Sequence, residues 1–139
     1  MRGTYVLLGG SRLEFPVLED FDLADKKVLL RVDINCPIDP KTMEILDDTR
    51  IISHLPTFDA LRDTKIIVLA HQSRPGLRDF TTLEKHARRL REVTGRRVKY
   101  VEDIFGSTAR KEIEELENGG ILVLENVRFC SEEVSPVVS

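Results

Sequence analysis

The sequence predicts an α/β fold, with three α/β/α layers built on a parallel, Rossmann-like sheet. Two observations carry that expectation. Short runs rich in valine, isoleucine and leucine alternate with segments of helical period. The runs are also apolar at nearly every position, as strands covered on both faces are. Connections of helix length between such strands make right-handed crossovers. With 139 residues the chain has one domain's worth of length. Its formal net charge of -3 gives no overall reason to expect nucleic acid or an anionic membrane. Any anion site must then be local. No apolar run nears the ~20 residues of a membrane span, and Val6, Leu7 and Leu8 are too few for a signal-peptide core. The expected compartment is the cytosol. Cys36 and Cys130 have no CxxC or metal-like spacing and read as ordinary thiols.

Residues 1–17 match no strong periodicity, and Gly9 and Gly10 break their one apolar run, leaving a frayed arm or a short hairpin as alternatives. Val28 to Ile34 reads as the first strand, closed by a turn containing Pro37, Asp39 and Pro40. Asp48 or Thr49 is expected to cap the next helix. Its stripe is Ile51, Leu55, Phe58 and Leu61, with a kink at Pro56. Lys65 to Ala70 is the second strand. Thr81-Thr82-Leu83-Glu84 has capping-box spacing and opens a helix with Leu83, Ala87, Leu90 and Val93 on its buried stripe, stopped by Gly95. Val98 to Val101 follows as the third strand. Ser107 is expected to cap a helix carrying Ala109, Ile113 and Leu116, ended by Asn118-Gly119-Gly120, and Ile121 to Leu124 is the fourth strand.

Asp33, Asn35, His71, Arg74 and Arg128 fall at or just past the ends of these strands. In an open α/β sheet the ligand crevice lies outside the carboxyl ends of the strands, so residues distant in sequence converge there. Cationic or titratable groups beside a carboxylate and an amide point to a phosphorylated hydroxy acid. Taken singly, each has a plainer reading as a turn residue, a cap or a solvated charge.

Four segments together resemble the ordered motifs of phosphoglycerate kinases, closest in wording to archaeal members. They are Val28-Leu29-Leu30-Arg31-Val32-Asp33-Ile34-Asn35, Asp47-Asp48-Thr49-Arg50-Ile51, His71-Gln72-Ser73-Arg74-Pro75 and Leu124-Glu125-Asn126-Val127-Arg128-Phe129. The resemblance runs from about Phe21 to about Glu133. It implies that residues 18–139 are an incomplete N-terminal domain binding 3-phosphoglycerate or 1,3-bisphosphoglycerate, opposite a C-terminal domain that binds Mg-ATP or Mg-ADP and is not in this chain. The implied activity is the reversible phosphoryl transfer of glycolysis and gluconeogenesis, with this chain alone inactive. Asp33 and Asn35 would contact the hydroxyl and carboxylate end of the glycerate. Arg50 would be the catalytic group beside the carboxyl oxygens and the migrating phosphoryl. His71, Arg74 and Arg128 would hold the non-transferring phosphate. Arg31 is open between bracing the acidic residues and touching substrate.

The same resemblance places the first strand mid-sheet, so that here it becomes an unpaired edge. It separates Cys36 from Cys130 by roughly 10 Å, beyond disulfide reach, and it puts Ser73 where a glycine is common. No glycine-rich nucleotide loop or Walker-type lysine is present. Arg88, Arg89, Arg91, Arg96, Arg97 and Lys99 read as a solvated face, offset by Glu112, Glu114, Glu115 and Glu117. Arg110 is given no role. The alternative to a kinase fragment is a non-catalytic module that binds a phosphorylated acid or serves in interactions. A receiver-type phosphoacceptor domain fits poorly, because Asp47 and Asp48 do not end a strand.

Overall fold

A computed structural model describes residues 4–8, 11–15 and 21–131. The rest of the opening arm and of the C-terminal stretch lies outside the described residues. Strands β1 (Thr4–Leu8) and β2 (Ser11–Phe15) pair antiparallel, Thr4 opposite Phe15, which is the hairpin alternative for the opening segment.

The body contains β3 (Lys27–Arg31), helices α1 (Thr49–Ser53) and α2 (Leu55–Ala60), and β4 (Lys65–Leu69). Helix α3 (Glu84–Thr94), β5 (Val98–Tyr100), α4 (Ser107–Glu115), β6 (Ile121–Val123) and a 3-10 turn (Val127–Phe129) complete it. The four strands are parallel in the order β3-β4-β6-β5. Among the described residues β3 is therefore an edge, as the resemblance implied.

Alternation along the strands divides the interior in two. Ile66, Val68, Ile121 and Val123 face a core shared with Ile51, Phe58 and Leu61 from the α1–α2 region and with Leu83, Ala87 and Leu90 at α3. Ile67, Leu122 and Leu124 face a smaller core with Val101, Ala109 and the partly buried Ile113 and Leu116. Leu29, in register with Ile67 and so on the same face, is 65% exposed. The expectation that both faces are covered thus holds over β4 and β6 and fails at β3, where no helix among the described residues lies over Leu29.

Gly95 ends α3 in the left-handed conformation (φ 66°), and Gly119 (φ 85°) turns the chain into β6. Three caps differ from expectation, two because a tertiary partner intervenes and one because a different local residue takes the amides. Asp48 is the N-cap residue of α1 but makes no side-chain cap; its carboxylate pairs with Arg89 of α3 at 2.5 Å, and Asp47 instead accepts from the Thr49 amide at 2.8 Å. The Thr81–Glu84 capping box does not form. The Leu83 amide donates to Glu125 Oε1 at 3.2 Å, and the Glu84 amide to Thr82 Oγ1 at 3.3 Å. At α4 the N-cap is Gly106, not Ser107, and Asp103 accepts from the Ile104, Gly106 and Ala109 amides. Those bonds hold the Asp103 carboxyl below the usual carboxylate range. At Pro56 a break replaces the expected kink: α1 stops at His54, which caps α2, and the proline sits in the first turn of α2, where its missing N–H costs nothing.

Candidate functional site

The chain leaves each of β3, β4 and β6 on the same side of the sheet, and the candidate residues follow: Asp33 and Asn35 after β3, His71 and Arg74 after β4, Arg128 after β6. Arg50 comes to the same edge from the first turn of α1. A cavity of about 460 Å3 opens there, lined by Asn35, Cys36, Pro37, Asp47, Thr49, Arg50 and Asp79.

Arg50 Nη1 straddles the Asp33 carboxylate, 3.2 and 3.3 Å from its two oxygens. Both side chains are more than half exposed, so the pair adds little stability. Nε and Nη2 of Arg50 are left without a protein partner among the described residues, and that part of the guanidinium fork suits an incoming anion. Asp33 is fixed by the Asn35 amide on Oδ1 at 3.2 Å and by His54 Nε2 on its main-chain oxygen at 2.9 Å.

Asn35 is oriented by one bond whose direction is unambiguous. The Ser73 amide donates to Asn35 Oδ1 at 2.9 Å, and since a main-chain N–H can only donate, the carboxamide nitrogen is the atom left for the cavity. Ser73 itself takes a left-handed conformation, φ 60°, at the position where the resemblance expected glycine. Its hydroxyl donates to Asp79 Oδ1 at 2.5 Å, and its carbonyl accepts from Arg128 Nη1 at 2.9 Å. One residue thus ties the β3 loop to the turn after β6. His71 is part-buried and Arg74 exposed on either side of Gln72 and Ser73; Arg74 makes no ion pair or side-chain hydrogen bond among the described residues. Asp33, Arg50, Asn35 and Arg128 are therefore joined directly or through Ser73. Arg74 stands apart as an open cation on the same edge.

Behind the crevice lies a polar layer that the sequence pattern does not reveal. Gln72, His86 and Asn126 are fully buried and Glu125 nearly so. Asn126 Nδ2 donates to the carbonyls of Gln72 (3.0 Å) and Thr81 (2.8 Å), while its Oδ1 accepts from the Arg128 amide at 3.0 Å, placing that arginine. Glu125 gathers the Leu83 and Asn126 amides on Oε1 and the Tyr100 hydroxyl on Oε2. Burial, then the Glu125 bond, pushes the Tyr100 phenol up. Burial also pushes the Cys36 thiol up to about 11, reinforced by Asp48, so Cys36 is protonated and unreactive at neutral pH. Adjacency to candidate ligand residues at strand ends is the one sequence feature that sets Gln72 and Asn126 apart, and it does not announce their burial. For His86 that feature is a position within the buried stripe of α3.

A cavity of about 480 Å3 lies at the opposite end of the sheet, among Arg91, Arg96, Arg97, Lys99, Glu112 and Glu117. Its cations are committed within the protein: Arg97 to Glu117 (2.6 Å), Lys99 to Glu112 (2.7 Å), Arg91 to the Val98 carbonyl and Arg96 to the Gly119 and Phe58 carbonyls. The basic cluster is thus stitched to its surroundings more than the expected solvated face is. The carboxyl edge, where Arg50 and Arg74 keep guanidinium nitrogens without partners among the described residues, is the better candidate.

A parallel α/β domain that gathers open arginines, an oriented amide and a carboxylate past the ends of adjacent strands has the makings of a small-molecule site for anionic acids. The family follows from comparison: a model described as "Phosphoglycerate kinase" matches residues 18–137, and the chain belongs to that family. It is 55% identical over 124 residues to a phosphoglycerate kinase of Methanobacterium bryantii, covering 88% of this chain and 30% of that relative. With the phosphoglycerate kinase of Archaeoglobus fulgidus the identity is 53% over 118 residues, covering 85% of this chain and 28% of the relative. The crystal structure of phosphoglycerate kinase from Pyrococcus horikoshii OT3 superposes with a TM-score of 0.81 at 43% identity, over 87% of this chain and 30% of that one. The structure of phosphoglycerate kinase from Coxiella burnetii gives 0.62 at 27%, over 80% and 27%. This chain therefore spans about 30% of the length of the curated relatives it matches. No helix among the described residues is long and apolar enough to cross a membrane.

Proposed function

We propose that this chain is the acid-substrate half of a phosphoglycerate kinase, an N-terminal, phosphoglycerate-binding part of a cytoplasmic enzyme. In the reaction, a phosphoryl group passes reversibly between the carboxylate of 3-phosphoglycerate and ADP, forming 1,3-bisphosphoglycerate in one direction and ATP in the other. In this reading the nucleotide, as Mg-ATP or Mg-ADP, is a substrate bound by a C-terminal domain of the complete enzyme, outside this chain.

In this reading His71, Arg74 and Arg128 hold the phosphate that does not transfer, through charge-assisted hydrogen bonds. Asp33 accepts from the glycerate hydroxyl, and the Asn35 nitrogen donates to the carboxylate end. Arg50 turns its unpaired nitrogens to the carboxyl oxygens and to the phosphoryl group in flight, whose charge spreads over its equatorial oxygens; stabilising that charge is the main task in phosphoryl transfer. The observation that carries the reading is the placement of Asp33, Asn35, Arg50, Arg74 and Arg128 on one sheet edge, with Arg74 and the free side of Arg50 uncommitted among the described residues.

Calorimetric titration of this chain with 3-phosphoglycerate, at low and moderate salt, tests it beside Arg74→Ala. Binding that weakens with salt and is lost in the variant is the expected result. A folded chain that takes up no 3-phosphoglycerate would overturn the assignment of the half-site to these residues and favour a non-catalytic interaction module.

A further inference from the structure

The carboxamide of Gln72 is saturated. Oε1 accepts from the Cys36 amide at 2.9 Å and from His86 Nε2 at 2.9 Å, while Nε2 donates to the Cys36 carbonyl at 2.9 Å and more distantly to the Asp79 carbonyl at 3.4 Å. Two of these bonds form a reciprocal pair with the main chain of a single residue, as a neighbouring strand would. The side chain therefore extends the β3–β4 pairing beyond the point where the strands themselves stop. The next rung along is the Ser73 amide on Asn35 Oδ1. Residues 35 and 36 are thereby held against 72 and 73 by three bonds, two of them from Gln72.

The consequence concerns the polarity of the crevice. A carboxamide can turn either its oxygen or its nitrogen to a ligand, and only the nitrogen attracts the oxygens of a phosphorylated acid. The Ser73 amide selects the nitrogen, but only while the two loops keep their register. Gln72, immobilised from behind by His86, sets that register.

We infer that Gln72 is a positioning residue of the crevice: by clamping Cys36 to the β4 loop it locks the Asn35 carboxamide with its nitrogen toward the ligand. The inference rests on the function proposed above in naming 3-phosphoglycerate as the probe, while its structural half is read without any ligand.

The test uses this chain in four forms: native, Gln72→Met, which keeps the length and loses the polar pairing, Asn35→Ala, and the double variant. The first readout is the 15N–1H signal pair of the Asn35 side-chain amide in the unliganded protein; the second is affinity for 3-phosphoglycerate. In folded Gln72→Met the Asn35 pair moves to the position of freely exposed carboxamides and affinity falls at least tenfold. Adding the same substitution to Asn35→Ala changes affinity less than twofold, a coupling that a merely structural role does not produce. An unmoved Asn35 pair in folded Gln72→Met, or an equal loss of affinity in both backgrounds, overturns the inference. If the Asn35 pair responds to Gln72→Met but no form binds 3-phosphoglycerate, the positioning role stands and the functional reading fails. Should Gln72→Met not fold, Gln72→Glu, which keeps shape and acceptor and loses the donor to Cys36, takes its place: the same two signals are read, and an unmoved Asn35 pair or an equal loss in both backgrounds again overturns the inference.

Discussion

His86 makes folding sensitive to acid over a defined range. Its ring is fully buried in α3; because Gln72 Oε1 must accept, Nε2 carries the proton and Nδ1 is left buried without a partner among the described residues. A second proton would place an uncompensated charge in the interior, and burial lowers the histidine from 6.5 to about 4. Between those values the unfolded chain binds a proton that the folded chain refuses, so stability falls as the pH falls. Above about 6.5 both states are neutral, below about 4 both are charged, and the loss is confined to the interval. At about 1.4 kcal/mol per pH unit the whole interval is worth about 3 kcal/mol, a large part of the ~5–15 kcal/mol that holds a domain folded. Urea unfolding of the native chain and of His86→Gln, whose amide nitrogen can still donate to Gln72, measures it at pH steps from 7 to 4.5. Carboxylates titrating toward the acid end are common to both proteins and cancel in the difference. The native chain should lose stability more steeply by about 1 kcal/mol per pH unit below pH 6. Parallel curves would refute the buried, neutral assignment of His86.

Three further outcomes are expected. Ser73→Gly should be more stable than Ser73→Ala by about 1 kcal/mol in thermal unfolding, since both lose the hydroxyl bond to Asp79 but only glycine relieves the positive φ; equal stabilities would count against strain at this residue. Arg50→Ala should shift the unfolding free energy by less than ~1 kcal/mol, its partner Asp33 being exposed, yet weaken 3-phosphoglycerate at least tenfold by calorimetry; a large loss of stability would reassign Arg50 to the scaffold. Ile67→Ala should cost about 3 kcal/mol against about 0.5 for Leu29→Ala, although the two share a sheet face; comparable costs would show that Leu29 is covered in solution.

Much of this was legible in the sequence, for a physical reason. Strand cores such as Ile66-Ile67-Val68 and the stripe of Leu83, Ala87 and Leu90 record burial directly, because apolar side chains are the ones driven out of water. The candidate residues were legible because their position past strand ends is a matter of topology. Helix starts were misread where a distant residue supplied the cap: nothing near Leu83 announces that Glu125, brought up by a neighbouring strand, will take its amide. The polar layer was hidden likewise. Gln72, His86 and Asn126 bond to one another and to the main chain across 14 to 54 residues of sequence, and only the folded register brings such partners together. The exposure of Leu29 went unforeseen because an apolar strand residue states that it prefers cover, not whether cover is at hand.

The edge that β3 presents among the described residues has a bearing on self-association. Unpaired strand edges invite a second copy to dock, and the symmetric way to do so is antiparallel. With Leu29 opposite Leu29, Lys27 of each copy would face Arg31 of the other, and Lys27, Leu29 and Arg31 are all exposed. Like charges directly opposed across strands are destabilising. The alternation of cation, leucine and cation along β3 thus disfavours pairing of the strand with its own image. Charge on an edge strand is one of the ways in which proteins hold off edge-to-edge association.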